Sequence, residues 1–260
     1  MNSRSFAICT LVAASSAALP ATGFAACDAR SGPKTAALVE LYTSEGCSSC
    51  PPADPQLSRL RQALDPAAEV VPLALHVGYW DYIGWKDPYA QVAFGERQDW
   101  LVRVNQRKTV YTPQFFVSGT ELRSWQGALR DKVRQLNALP AAAAIRVQAS
   151  IAPNGALALN AEATARDGAE PAALYLALAE SGLASKVTRG ENSGVTLAHD
   201  HVVREWIGPV RLTGGAARVR RDIALPAAWS RARLEVIAFV QDERTGGVLQ
   251  ALSAQQCAGA

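Results

Sequence analysis

Two cysteines three positions apart, Cys47 and Cys50, constrain this chain more than any other feature. They follow the apolar run 36–42, which predicts a buried strand. They precede Pro51 and Pro52, which suit the first turn of a helix because the missing N–H of proline costs nothing there. Unpaired N–H groups at a helix start stabilise negative charge, so Cys47 is predicted to be a reactive thiolate. Zinc sites and redox enzymes both use this spacing, and the flanking chain must distinguish them.

Residues 1–26 have the pattern of a secretory signal peptide, with one basic residue, an apolar run over 6–19 and small residues before the predicted cleavage point. The apolar run is shorter than the about 20 residues that a membrane-spanning helix needs, and no later segment reaches that length. Attachment of a lipid at Cys27 is the alternative to plain cleavage. We therefore expect an exported, periplasmic protein without a membrane span.

The charge of the chain does not point to a polyanionic partner. The whole chain has a net charge of +3, and the segment 1–26 holds one basic and no acidic residue, so the mature chain has a charge of +2. The basic residues are scattered, and the densest group is Arg218, Arg220 and Arg221. This is unlike the basic stripe that binds nucleic acid, and we expect no nucleic-acid partner.

The number of cysteines favours disulfides. Of the five cysteines, Cys9 lies in the signal segment, and an even number in an exported chain is typical of disulfide pairing. The arrangement that leaves Cys47 and Cys50 to each other joins Cys27 to Cys257. Such a bridge would tie the two ends together and stabilise the chain by about 2–5 kcal/mol. A zinc site made of all four cysteines is the alternative, and an oxidising compartment argues against it.

Between residues 27 and 140, short apolar runs alternate with stretches of helical periodicity. A strand–helix–strand pattern of this kind forms a right-handed crossover with parallel strands. The segment 79–89 is rich in aromatic residues, and its Trp80, Trp85 and Tyr89 either wall a substrate groove or cap the core. The predicted strands are 36–42, 70–77, 112–119 and 121–125, and the predicted helices are 53–64, 90–105 and 126–139.

Beyond Pro140 the pattern changes to short strands with turn signals. Residues 145–161 alternate apolar and polar side chains around a Pro-Asn-Gly turn, which predicts a hairpin. Several such strands favour a β-sandwich of about 115 residues. His199 and His201 fall on one face of a predicted strand, where we expect packing rather than metal binding. The later predicted strands are 173–180, 195–206, 217–225, 234–241 and 248–253.

The order of these elements resembles the thioredoxin fold, with Tyr111-Thr112-Pro113 entering a strand where that superfamily has a cis-proline facing its cysteine pair. More closely, five blocks of the sequence resemble the DUF1223 family of exported bacterial thioredoxin-like proteins; they are 41–54, 76–85, 111–114, 190–192 and 199–204. The resemblance implies an α/β thioredoxin-like domain over 27–140, followed by a small all-β sandwich domain over 141–260. It implies export as well, but little about activity. One departure is Gly78, where the family commonly has an acid.

Four residues are predicted to carry the chemistry. Cys47 would attack a substrate disulfide, and Cys50 would resolve the mixed disulfide. Pro113, taken as a cis-proline from the resemblance, would leave the backbone of Thr112 open to pair with a substrate chain. Glu40 lies within an apolar strand. Buried, it would have a raised pKa and relay a proton to or from Cys50, whereas at a strand edge it would face solvent.

The predicted function is therefore a periplasmic thiol–disulfide oxidoreductase that acts on thiols or disulfides of other exported proteins and needs no cofactor. The Ser48-Ser49 spacer is compatible with oxidase, reductase and isomerase directions, and the sequence indicates no oligomeric state. One alternative is a copper-binding or metal-delivery protein, in which His76 joins Cys47 and Cys50 because soft sulfur ligands suit copper(I). Another alternative is a non-catalytic binding module with a structural disulfide.

Overall fold

The computed structural model describes residues 27–166 and 171–254, and β-sheet predominates in them. Strands take up 43% of the described chain and helices 20%. The strands are β1 (Cys27–Arg30), β2 (Ala37–Thr43), β3 (Val70–His76), β4 (Gln114–Val117), β5 (Thr120–Glu121), β6 (Ala143–Ile151), β7 (Leu157–Ala165), β8 (Ala172–Glu180), β9 (Leu183–Lys186), β10 (Thr196–His199), β11 (Val202–Arg211), β12 (Ala216–Ile223), β13 (Leu234–Asp242) and β14 (Val248–Ala254). The helices are α1 (Asp54–Ser58), α2 (Leu60–Ala63), α3 (Val92–Val104) and α4 (Trp125–Asn137), with short 3-10 helices at Gly78–Ile83 and Arg231–Arg233.

Eight strands from both halves of the chain form one mixed sheet. Their order is β14-β13-β8-β11-β3-β2-β4-β5. β2 and β3 pair in parallel over their whole lengths, as the strand–helix–strand pattern predicts. β11 joins β3 in parallel where Val202 pairs with Ala74, and the other pairs of this sheet are antiparallel. A four-stranded sheet, β1-β6-β7-β12, and the pair β10-β9 complete the described strands.

The large sheet overturns the predicted fold class. An α/β thioredoxin-like domain followed by a separate small all-β sandwich is wrong, because the chain is mainly β and its large sheet takes strands from both sides of Pro140. The description as thioredoxin-like is therefore wrong as well. The sandwich itself is confirmed, since the four-stranded sheet and β8, β13 and β14 share one apolar cluster that includes Val147, Ala161, Leu176 and Val236. The boundary near residue 140 stays a prediction.

Two other sequence predictions fall outside the described residues. The signal peptide covers residues 1–26, and the predicted disulfide of Cys27 requires Cys257. Both stay predictions. Within 27–166 and 171–254, no helix has the length and hydropathy to cross a membrane.

The helix after the cysteine pair is shorter than predicted. In place of one helix over 53–64 there are two, α1 and α2, separated at Arg59. Pro51 and Pro52 supply no N–H, and each proline disfavours the α conformation in the residue before it. The helix therefore begins only at Asp54. The predicted helices 90–105 and 126–139 are confirmed as α3 and α4.

Helices cover both faces of the large sheet near β2. Leu38 and Tyr42 of β2 pack in a cluster with residues of α3. Val39 and Leu41, which alternate with them along the strand, pack in a second cluster with residues of α1, α2 and α4. All seven residues of β2 are buried, as expected for a strand with both faces covered.

Glu235 on β13 ties α2 to the strands of the second half. Its carboxylate accepts hydrogen bonds from Arg61 of α2 and Ser253 of β14, and its Oε2 lies 3.4 Å from Nδ1 of His201. Burial acts to raise the pKa of this carboxyl, but His201 and Arg61 outweigh burial and lower it to about 2. The carboxylate is therefore an ion-pair centre between elements far apart in sequence.

We expect Glu235 to make the stability of the fold depend on pH in acid. Its pKa is about 2 in the folded chain, against 4.5 for an unperturbed glutamate. Because the folded pKa is depressed, the stabilisation is complete above pH 4.5 and is lost as the pH falls towards 2, by about 3 kcal/mol in all. Urea unfolding across this window should show a flatter pH dependence for Glu235→Gln than for the natural chain.

The matched control for this test is Glu162→Gln, because Glu162 makes its ion pair with Arg218 at an exposed site. Its pH dependence should match that of the natural chain. Equal slopes for all three proteins would contradict the role of Glu235.

Candidate functional site

Cys47 and Cys50 form a disulfide on a loop made of successive turns. Their Cα atoms are 5.4 Å apart. In this cysteine loop, residues 44–53, the N–H of Cys47 donates to Ser44 O at 3.1 Å and the N–H of Cys50 to Cys47 O at 3.2 Å. Cys47 is 0% exposed and Cys50 2% exposed, whereas Ser48 and Ser49 face solvent. The disulfide therefore lies just under the surface.

The loop that contains Pro113 lies beside the disulfide. The Thr112–Pro113 peptide bond is cis, as predicted. The hydroxyl of Ser49 lies 3.3 Å from the sulfur of Cys47 and 3.4 Å from the carbonyl oxygen of Thr112. The structure thus brings together three of the four residues that the sequence analysis assigned to the chemistry.

A segment of the second half of the chain covers the cysteine loop. In this covering segment, residues 190–194, the buried side chain of Asn192 donates to Glu45 O at 2.8 Å and to Cys47 O at 3.0 Å. The carboxylate of Glu191 accepts the N–H of Ser48 at 3.0 Å. Two residues that flank Gly46 are therefore fixed by one amide group.

Close packing at two glycines brings the covering segment and the 3-10 helix against the cysteine loop. A Cβ atom at Gly46 would lie 2.9 Å from Cβ of Trp80, so only glycine allows this contact. Gly190 has a φ of +73°, a backbone conformation that glycine adopts without strain. It packs on Ile83 and Trp85. The aromatic segment thus lines the site.

The first of two buried histidine–carboxylate contacts beside this loop joins His76 and Asp87. Nδ1 of His76 lies 2.7 Å from Oδ2 of Asp87, and both side chains are fully buried. Burial acts to lower the pKa of His76, but the charge of Asp87 outweighs it and the pKa is raised. Burial acts to raise the pKa of Asp87, but His76 outweighs it and the pKa is lowered. The same oxygen of Asp87 accepts the N–H of Glu45 at 2.8 Å.

The second contact joins His199 to Glu45 of the cysteine loop and to Asp54, the first residue of α1. Nε2 of His199 lies 3.1 Å from Glu45 Oε1, and Nδ1 lies 3.7 Å from Asp54 Oδ2. Burial raises the pKa of Asp54, which also accepts the hydroxyl of Thr43 at 3.2 Å. The two histidine rings meet edge to face at 4.9 Å, so the pairs form one network. We call Glu45, Asp54, His76, Asp87 and His199 the buried network.

The roles of three carboxylates in this network were not predicted from the sequence. Glu45 and Asp54 lie close to the cysteines in the sequence, and Asp87 belongs to the aromatic segment. The signal that could have found Glu45 and Asp54 is their place two residues before Cys47 and four after Cys50. His199 was expected to pack without chemistry, and it instead bridges two carboxylates.

The structure does not assemble the metal site considered from the sequence. His76 faces Asp87 through Nδ1, and its Nε2 is buried without a hydrogen-bond partner. In the part of the chain that the structure describes, no group of three or more His, Cys, Asp or Glu side chains has an arrangement that would hold a metal ion. Cys47, Cys50 and His76 therefore do not form a ligand set here.

Glu40 is buried, but it lies on the α3 face of β2, opposite to the face that packs on α1. Arg97 donates to its Oε1 at 2.6 Å, and the hydroxyl of Tyr42 donates to the same atom at 3.3 Å. Four aromatic rings surround the guanidinium of Arg97 at 5.0–5.6 Å. The reading of Glu40 as a solvent-facing residue is wrong, and its role as a proton relay for Cys50 stays a prediction.

We expect the pair of Glu40 and Arg97 to be required for stability. Arg97→Met removes the only charged partner that the structure shows for Glu40 and leaves a buried carboxylate, which costs about 3–5 kcal/mol. Urea unfolding measures this loss. The double change Glu40→Leu with Arg97→Met removes both charges and should recover most of the stability. A single Arg97→Met chain as stable as the natural one would contradict this account.

The comparisons with known proteins show a family and a fold. The chain matches the family described as "Protein of unknown function (DUF1223)" over residues 38–241, which confirms the resemblance to that family. Among curated proteins, none matches the chain. Among solved structures, the chain is similar to protein AGR_C_4864 from Agrobacterium tumefaciens, with 24% identity and a TM-score of 0.61 over 87% of this chain and 96% of that one. It is also similar to HBP35 of Porphyromonas gingivalis, with 15% identity and a TM-score of 0.66 over 86% and 76%. At these identities the two structures support the fold alone.

Proposed function

Since the chain belongs to the DUF1223 family, whose members are described as proteins of unknown function, we propose a function from the geometry of its site. The protein is a periplasmic thiol–disulfide oxidoreductase that acts on cysteines of other exported proteins through Cys47 and Cys50. The observation that supports this most is the buried network beside the cysteine loop. Buried acids and histidines are costly to keep in an apolar interior, and such clusters are typical of functional sites.

The exchange runs in two steps that conserve electrons and protons. In the reducing direction, the thiolate of Cys47 attacks one sulfur of a substrate disulfide, and the other substrate sulfur leaves as a thiolate that takes up a proton. Cys50 then loses its proton and attacks the sulfur of Cys47, which releases the second substrate thiol. Two electrons pass to the substrate, and the protein ends as the disulfide. The oxidising direction is the reverse.

The loop at Pro113 is proposed to align the substrate. Proline has no N–H to pair, so a substrate strand could lie beside the disulfide and bond to the backbone of Thr112, whose carbonyl oxygen accepts the hydroxyl of Ser49 until the substrate replaces it. Trp80 fixes this loop, because its indole N–H donates to the hydroxyl of Thr112 at 2.8 Å. A substrate cysteine held there would face Ser49 and the sulfur of Cys47.

The burial of Cys47 adds a requirement to this proposal. Because Cys47 is 0% exposed, a substrate sulfur reaches it only after the surrounding chain moves, and the covering segment is hydrogen-bonded to Cys47 itself. Asn192 holds that segment down with two hydrogen bonds to backbone carbonyls, one on each side of Gly46. The strength of these bonds should therefore set how fast the disulfide reacts.

We expect Asn192→Ala to speed the reduction of the disulfide by dithiothreitol about tenfold or more. Each lost hydrogen bond contributes about 0.5–1.5 kcal/mol, and a difference of 1.4 kcal/mol is a factor of ten in the population of the open form. The rate is measured by alkylating the free thiols at successive times and following the mass of the protein by mass spectrometry. Asn160→Ala is the matched control, since the amide of Asn160 bonds to Gln148 in the four-stranded sheet. Equal rates for both variants would contradict the role of Asn192.

The reduction potential tests the proposal itself. Equilibration of the natural chain with glutathione buffers should place the Cys47–Cys50 couple between about −270 and −120 mV, the range of thiol–disulfide oxidoreductases. Cys50→Ser should trap a mixed disulfide at Cys47 with a substrate peptide, because the resolving sulfur is absent. A potential below about −300 mV, which is typical of structural disulfides, would contradict the proposal.

One observation favours a second candidate function, a binding module whose disulfide is structural. Cys47 and Cys50 are as buried as core residues, and structural disulfides are inert for this reason. This candidate predicts a low potential and no effect of Cys50→Ser on substrate capture. The same two measurements therefore decide between the candidates.

A further inference from the structure

We propose that Glu191 sets the redox equilibrium of the Cys47–Cys50 disulfide by competing with the Cys47 thiolate for the N–H of Ser48. This inference rests on the proposed function, since it assigns a positioning residue to that same site. Glu191 would favour the disulfide over the dithiol. It belongs to the second half of the chain and touches the cysteine loop from 143 positions away.

The stability of a Cys47 thiolate depends on the hydrogen-bond donors near its sulfur. A cysteine thiolate in an exchange enzyme is stabilised by backbone N–H groups that follow it. Here the N–H of Cys50 already donates to Cys47 O at 3.2 Å, and the N–H of Ser48 donates to Glu191 at 3.0 Å. Of the three N–H groups of residues 48–50, two are therefore engaged by oxygen atoms. A thiolate at Cys47 would have to displace Glu191 to gain the N–H of Ser48.

The negative charge of Glu191 also acts against a thiolate at Cys47. Glu191 is exposed, and its bond to Ser48 holds the pKa of its carboxyl below the usual range, so the group is an anion at neutral pH. Cys47 is the residue next to Ser48, so a thiolate there would face a second negative charge. Like charges at short range disfavour the ionised form, which raises the pKa of the thiol.

The helix start predicted beside Cys47 is absent, so no helix dipole stabilises a thiolate there. The short helix α1 begins at Asp54, seven positions after Cys47, and has five residues. Its N–H groups do not reach the first sulfur as they would at the predicted helix start. The stability of the thiolate therefore depends on the turn N–H groups that follow Cys47 and on the side chains that compete for them. Among the N–H groups of residues 48–50, the one on Ser48 is engaged by the charged side chain of Glu191.

The experiment compares the equilibrium constants of the full chain and its variants with glutathione. Two reduced glutathione molecules give up two electrons to the disulfide and become one oxidised glutathione, and the protein gains two thiols. Glu191→Gln removes the charge but keeps an oxygen that can accept the N–H of Ser48, whereas Glu191→Ala removes both. We expect the constant to shift towards the dithiol about fivefold for Glu191→Gln, which is about 20 mV, and further for Glu191→Ala.

Two further readouts separate this role from a merely structural one. Thiolate absorbance during a pH titration of the reduced chain should give a lower pKa for Cys47 in both Glu191 variants than in the natural chain. High salt should shrink the shift of Glu191→Gln, because charges at an exposed site are screened. Glu96→Gln is the matched control, since Glu96 is an exposed glutamate on α3, and it should leave the constant unchanged.

The outcomes distinguish this inference from the proposed function. If the natural chain has a potential of an oxidoreductase but Glu191→Gln and Glu191→Ala leave it unchanged, the inference is wrong and the function stands. If the natural potential is that of a structural disulfide, the proposed function fails. The ratio between variant and natural chain, measured with a stronger dithiol, still tests Glu191. A shift towards the disulfide in either variant would also overturn the inference.

Discussion

A single parallel contact between β3 and β11 determines which residues meet at the disulfide. Val202 pairs with Ala74, and the N–H of Ala74 donates to His201 O at 2.8 Å. This contact attaches the second half of the chain to the edge of β3 that β2 leaves open. The segment that precedes β11 then runs along the end of β3, next to the cysteine loop. Residues 190–199 come just before β11, and they reach that loop because this strand pairing fixes the position at which the segment ends.

Two acids of the buried network have pKa values that are shifted in opposite directions. Burial raises the pKa of Asp54, whereas His76 holds the pKa of Asp87 low although Asp87 is buried as well. Titratable groups whose environments push their pKa values apart are suited to act as acid and base. Glu45 lies between them, because its backbone N–H bonds Asp87 and its carboxylate faces His199 and the indole of Trp85. The cysteine loop is therefore connected to one carboxyl group that takes up a proton more readily than usual, Asp54, and to one that stays ionised more readily than usual, Asp87.

Local patterns were enough to predict most elements but not how they pair. Alternation and helical periodicity located β6 and β7, α3 and α4, because these patterns depend on residues a few positions apart. The joining of both halves in one sheet depends on a contact between residues 74 and 202, which no local pattern contains. The strand predicted over 195–206 shows the same limit. His201 has a φ of +58° and breaks this strand, so His199 turns to Glu45 while His201 turns to Glu235.

The site shows the same division between local and long-range information. Spacing identified Cys47 and Cys50 as neighbours, and the resemblance to the thioredoxin fold added Pro113. The same spacing also placed a helix start at the first sulfur, which the structure does not have. Pro51 and Pro52 suit a helical first turn and equally suit the turns that the chain forms, so composition could not separate the two. In the structure the donors around Cys47 are turn N–H groups, and the covering segment engages the one on Ser48. The cysteine loop of the first half of the chain is thus held by a carboxylate and an amide from the second half, and a description that treats the halves as separate domains loses both contacts.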